Sequence, residues 1–89
     1  MRNTKIVMSV LQEECAEVIQ AVSKINRFGL NSEWEGVTNK QSLITEIGDV
    51  LALIHVLVEE TDINITYDEL QLAAAAKYKK LEIFLPQES

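Results

Sequence analysis

Five carboxylates in this chain stand where carboxylates are costly. Glu13, Glu14 and Glu17 share one arc of a helical stretch, and Glu14 falls in the line Val7, Leu11, Val18, Ala21, Ile25, which is otherwise apolar. A second pair, Glu46 and Asp49, is also three residues apart, and Glu46 lies between Leu43 and the pair Ile47, Val50 on the apolar side of another helical stretch. A bare carboxylate withdrawn from water costs several kcal/mol or shifts its pKa, so acids converging between helices call for a compensating positive charge. A divalent cation fits, and an all-oxygen donor set without histidine or thiolate suits Mg²⁺ or Mn²⁺ rather than Zn²⁺. Taken singly, each acid group would also suit a solvated helix face; two groups at matching spacing, both interrupting apolar stripes, favour the metal. A di-iron centre of the Glu-x-x-His type is excluded, because the one histidine, His55, has Ala52 three residues before it.

Helices must carry these acids. Steps of three and four between Val7, Val10, Leu11, Val18, Ala21, Val22 and Ile25 predict a helix over residues 3–26, ended near Gly29 by a residue in the left-handed region. Residues 32–40 show no period and are expected to be irregular, with a reciprocal Ser32–Glu35 cap starting one short turn. A second helix is expected over 41–60. Its apolar residues run most of the way round, so the economical explanation is a subunit interface. Thr66 with Glu69 forms a capping-box pattern, and Tyr67, Leu70, Ala74, Tyr78, Leu81 and Leu85 continue a third helix up to Pro86. The β-branched runs at 6–7 and 63–66 are short and lack partners with alternating pattern. The fold class expected is all-α: a compact bundle of three principal helices, completed by oligomerisation, in one domain over 1–89.

Composition narrows the chemistry. The 89 residues carry fourteen acids against eight Lys plus Arg, a formal charge of −6, which argues against long nucleic acid or an anionic membrane surface as partner. The longest nearly apolar run, Val50 to Val58, is nine residues between acids, so no bilayer-spanning segment is expected. A lone Cys15 and a start without a signal-peptide run point to a reducing, cytoplasmic setting.

The arrangement Glu13-Glu14-x-x-Glu17, followed on the second helical stretch by Glu46-x-x-Asp49, resembles the signature of the MazG-like all-α nucleoside triphosphate pyrophosphohydrolases, a superfamily that also contains dimeric dUTPases. The stretches LQEECAEVIQAVSKINRFG (11–29) and TNKQSLITEIGDVLAL (38–53) look like the short single-domain members. The resemblance implies a homodimer or homotetramer, a nucleotide substrate cleaved between its α and β phosphates, and Mg²⁺ held by Glu14, Glu17, Glu46 and Asp49. Glu13 would then be an outer ligand or base. Many members also carry Lys-x-Asn-x-Lys-aromatic on the last helix; this chain keeps Lys77-Tyr78 and adds Lys79 and Lys80, but has Ala73 and Ala75 where that Lys and Asn are expected. A weakly catalytic nucleotide binder of the same fold, or a purely structural helical oligomer, is the rival expectation.

Further residues have two readings each. Lys24 and Arg27 suit phosphate binding and equally the helix C-terminal dipole. Lys77 and Lys80 are candidate phosphate contacts by the resemblance. Trp34 could stack on a base or cap the core. Asn39 is expected to cap the second helix, His55 to be a packed, hydrogen-bonded interface residue, and Cys15 to be a small packing residue rather than a nucleophile.

Overall fold

The computed structural model describes residues 1–87; residues 88 and 89 of the expected domain lie outside the described part. Three helices dominate: α1 (Thr4–Phe28), α2 (Asn39–Glu60) and α3 (Tyr67–Phe84), with a two-stranded hairpin, β1 (Glu33–Trp34) and β2 (Val37–Thr38), between the first two. The all-α class expected from the periodicity is what the chain adopts.

Each helix begins where the sequence supplies a cap. Asn3 accepts from the Ile6 N–H at the start of α1. Thr38 and Gln41 form a reciprocal capping box at α2, and Thr66 and Glu69 form another at α3. Gly29 ends α1 by donating its N–H to the Ile25 carbonyl at 2.8 Å. Its φ of 90° and ψ of 165° lie outside the left-handed helical region expected there, and turn the chain outward into an extended segment.

The segment expected to be irregular is a tight antiparallel hairpin. Glu33 pairs with Thr38 and Trp34 with Val37, across a turn in which Glu35 and Gly36 both take positive φ, 51° and 79°. Glu35 therefore cannot serve in the predicted Ser32 cap. Asn39 corrects a second expectation: Thr38 caps α2, while the Asn39 side chain donates to the Gly29 carbonyl at 2.9 Å and ties the start of α2 to the end of α1.

The α1–α2 pair is antiparallel and pinned at both ends. At the far end the Arg2 N–H reaches the Glu60 carbonyl at 2.6 Å, its Nε meets Glu60 Oε1 at 2.7 Å, and the Thr4 hydroxyl donates to Asp62 at 2.6 Å. Thr61, which is buried, donates its hydroxyl back to the Leu57 carbonyl and closes α2. Val7, Ala21 and Leu57 are the buried apolar residues of this seam.

The bundle does not close within one chain. α3 meets the pair at its first turn, where the Tyr67 hydroxyl and His55 Nδ1 lie 2.7 Å apart, and then leaves it. The radius of gyration is 15.9 Å, against about 12 Å for a compact chain of this length. The expected compactness is therefore absent from the single chain, in which α3 turns away from the α1–α2 pair. α2 is also, at 22 residues, long and apolar enough to cross a bilayer by length and composition, contrary to the expectation drawn from its shorter apolar run. In the fold its apolar residues divide between a face on α1 and a second, uncovered face.

Candidate metal centre and adjoining cleft

The antiparallel register places Glu14 of α1 opposite Asp49 of α2 and Glu17 opposite Glu46. Both pairs recur at three residues on their own helices, so the four acids stack within about one turn of the groove. Glu14, Glu17 and Glu46 each offer a carboxylate oxygen within 4.8 Å of the others. Asp49 lies beside Glu14, outside that trio, and Glu13 is exposed on the rim next to Glu14.

The electrostatics of the groove are one-sided. Glu14 and Glu46 are half-buried, and the Oε2 atom of each is shut away from solvent without a hydrogen-bond partner. Burial pushes the Glu14 carboxyl above its usual range, and the charges of Asp49, Glu17 and Glu13 add to the shift. Burial also raises Glu46, reinforced by the carboxyl of Glu17 close beside it and by Asp49 and Glu14. Among the described residues the ion pair is Arg2–Glu60, at the other end of the helix pair, and no Lys, Arg or His donates to these five acids. Two orphaned buried oxygens facing further carboxylates form a donor set that fits a hard divalent cation, which would meet oxygens already stripped of water.

A cleft of about 560 Å³ opens at the hairpin end of the helix pair, and none of the five acids lines it. Ser42 of its lining is one helical turn before Glu46, and Lys24 is two turns beyond Glu17, about 6 Å and 10 Å along the respective axes. Trp34 and Phe28 give it aromatic walls, Lys24 a positive charge, and Asn39 and Glu35 polar edges. Trp34 is 74% exposed, so it does not cap the core; the hairpin holds it over the cleft instead.

The remaining predicted site residues are placed elsewhere. Arg27 sits over its neighbour Phe28, 5.1 Å from the ring centre, and is not among the residues lining the cleft. Lys77 and Lys80 are exposed on α3, which does not lie against the acids in the single chain, so that chain does not deliver them to the groove. Cys15 is exposed rather than packed, and His55 is exposed in the chain while keeping its bond to Tyr67. Sequence reasoning missed the hairpin, and with it Phe28 and Ser42 as cleft residues. The readable signal was Glu35-Gly36 between Trp34 and Val37, a dipeptide ending in glycine at the span of a two-residue turn.

No curated protein and no solved structure matches the chain. The model of the MazG nucleotide pyrophosphohydrolase domain matches residues 2–82, a span that holds all five acids, the hairpin and nearly all of α3. The chain belongs to the MazG nucleotide pyrophosphohydrolase domain family.

Proposed function

We propose that the protein hydrolyses nucleoside triphosphates, ribo or deoxyribo, to the nucleoside monophosphate and pyrophosphate, with Mg²⁺ (or Mn²⁺) held by Glu14, Glu17, Glu46 and Asp49. The observation that carries the reading is the groove itself, in which Glu14 and Glu46 each keep a buried, unpartnered oxygen turned toward other acids. A bound divalent cation supplies Lewis-acid neutralisation of phosphate oxygens and orients an attacking water. The chain's own residues do the rest. Trp34 and Phe28 receive the base, and Lys24, on the cleft wall two helical turns from Glu17, meets the phosphate chain. Glu13, on the rim, accepts a proton from water as it attacks phosphorus and the bond to the pyrophosphate leaving group breaks. A reducing, cytoplasmic setting belongs to the same reading, since the exposed thiol of Cys15 is unpaired.

Release of pyrophosphate rather than single phosphate, from a panel of NTPs and dNTPs with Mg²⁺, Mn²⁺ or chelator, tests the reaction. Metal-dependent pyrophosphate release that disappears in Glu46→Gln supports it; single-phosphate release, or release indifferent to chelator, refutes it. Trp34→Ala is expected to raise KM by roughly tenfold, the worth of one stacked base, with a smaller change in kcat. A second reading, a nucleotide binder with little turnover, draws on Ala73 and Ala75 and on the distance of Lys77 and Lys80 from the groove. It predicts a nucleotide-dependent rise in Tm with Mg²⁺ and no product.

A further inference from the structure

The hairpin end of the cleft gathers hydrogen-bond acceptors. Glu33 and Glu35 both line it, and among the described residues no Lys, Arg or His pairs with either. Glu35 stands in the turn at a φ of 51°, in the left-handed region that favours glycine or asparagine, so the hairpin keeps a carboxylate where those residues would sit more easily. Asn39 adds a third acceptor to the lining. Its amide hydrogens go to the Gly29 carbonyl at 2.9 Å and the Lys24 carbonyl at 3.5 Å, which fixes the amide and leaves Oδ1, an acceptor, as its remaining polar atom.

The start of α2 offers no donors in exchange. The Asn39 N–H donates to the Ser32 carbonyl at 2.9 Å, the Lys40 N–H to the Leu30 carbonyl at 3.0 Å and the Gln41 N–H to the Thr38 hydroxyl at 3.1 Å. The N–H groups by which a helix N-terminus holds an anion are therefore spent.

These groups set the polarity of a nucleotide in the cleft. Two carboxylates repel phosphate from the hairpin end, and Lys24 on the α1 side draws it. The neutral base is left to the hairpin end, where Trp34 and Phe28 offer flat faces. Stacking tolerates every base, so the choice between bases falls to the groups at their edges. A carboxylate accepts and cannot donate: it bonds an amino group and repels a ring carbonyl.

We infer that the cleft selects bases with an exocyclic amino group, cytosine, adenine and guanine, over uracil, thymine and hypoxanthine, which lack it, with Glu33, Glu35 and the Asn39 amide oxygen as the reading groups. Guanine gains most, since its ring N–H and amino group lie side by side and suit the two oxygens of one carboxylate. The inference rests on the reading of the cleft as the base site of a nucleotide, and not on the metal or on hydrolysis.

Trp34 is the one tryptophan, so its fluorescence reports what stacks on it. The full chain is titrated with nucleoside monophosphates, which need no turnover, with Mg²⁺ and again with chelator. GMP is expected to bind about tenfold more tightly than IMP, from which it differs by the amino group alone, and CMP about tenfold more tightly than UMP, the worth of one hydrogen bond to a charged group. When Glu33→Gln and Glu35→Gln are combined, each carboxylate becomes an amide that can also donate, and both ratios should fall toward one through tighter binding of IMP and UMP. A ratio near one for either pair in the wild type overturns the inference, as does a preference for IMP or UMP, or no quenching by any of the four. A double variant that keeps both ratios takes the glutamates out of base reading and overturns it too. The wild-type comparison stands even where the variant misfolds. Hydrolysis is judged apart, by pyrophosphate release: base selection without product leaves this inference standing and refutes that reading alone.

Discussion

Glutamates meet the α1–α2 pair at two places, and the same side chain has opposite fates in them. At the open end Glu60 accepts from the Arg2 guanidinium, and that bond holds its carboxyl below the usual range against a modest cost of burial. In the groove Glu14 and Glu46 have only other acids around them, and burial and neighbouring charge hold both above it. One place is a finished ion pair; the other is half of one. A fold that supplies Arg2 to Glu60 supplies no Lys, Arg or His to the groove, and that difference is what supports the proposal of a cation from outside the chain.

The largest effect expected from breaking the comparison is at Glu46. On the proposed reading Glu46→Gln removes a metal ligand, so it should weaken Mg²⁺ binding by more than the roughly 10–100-fold that loss of a supporting residue costs, and pyrophosphate release should fall with it. Calorimetric titration with Mg²⁺ alone separates the loss of metal from loss of nucleotide. Next comes stability without metal. Glu14→Gln removes a charge from a crowded, partly dry groove, so Tm in chelator at neutral pH should rise by a few degrees, while the stabilisation by Mg²⁺ should vanish. A fall in Tm in chelator would mean that the acids do not repel one another.

The pH dependence sharpens the contrast. Glu14 and Glu46 bind protons more tightly in the folded chain than in the unfolded one. Stability of the metal-free protein should therefore rise as pH falls from neutral through their raised values toward the ordinary 4.5. Glu60 works in the opposite sense: its contribution is complete above 4.5 and is lost as pH falls through its lowered value. Metal-free protein should thus be most stable in mild acid, and saturating Mg²⁺ should remove that gain by competing with the protons. Thermal melts across pH, with and without Mg²⁺, decide it. Smallest of all is the finished pair. Arg2→Ala should shift Tm only slightly, and less still in high salt, because the pair is exposed to solvent.

Much of this was legible in the chain itself. Stripes at steps of three and four, the Thr66–Glu69 box and the spacing of Glu14, Glu17, Glu46 and Asp49 specify helices that carry two acid pairs, because helix geometry is local and its period is fixed; of the four, Glu14 and Glu46 are half-buried while Glu17 and Asp49 stay exposed. The hairpin was harder to read, since two-residue strands carry no period and Glu35 is an unusual residue at positive φ. Asn39 was assigned to the wrong helix, because a side chain before a helix can cap its own element or reach another, and only the approach of Gly29 decides which.

The sequence alone therefore determined three helices, the acids that interrupt their stripes and the family to which they belong. The tertiary structure decided which acids meet. The antiparallel register puts Glu14 against Asp49 and Glu17 against Glu46, hangs Trp34 over the cleft and leaves Lys77 and Lys80 out of reach on a helix that turns away. The physical reason is range: a cap or a stripe is a property of neighbours in sequence, whereas a buried carboxylate without a partner exists only once another helix has closed over it.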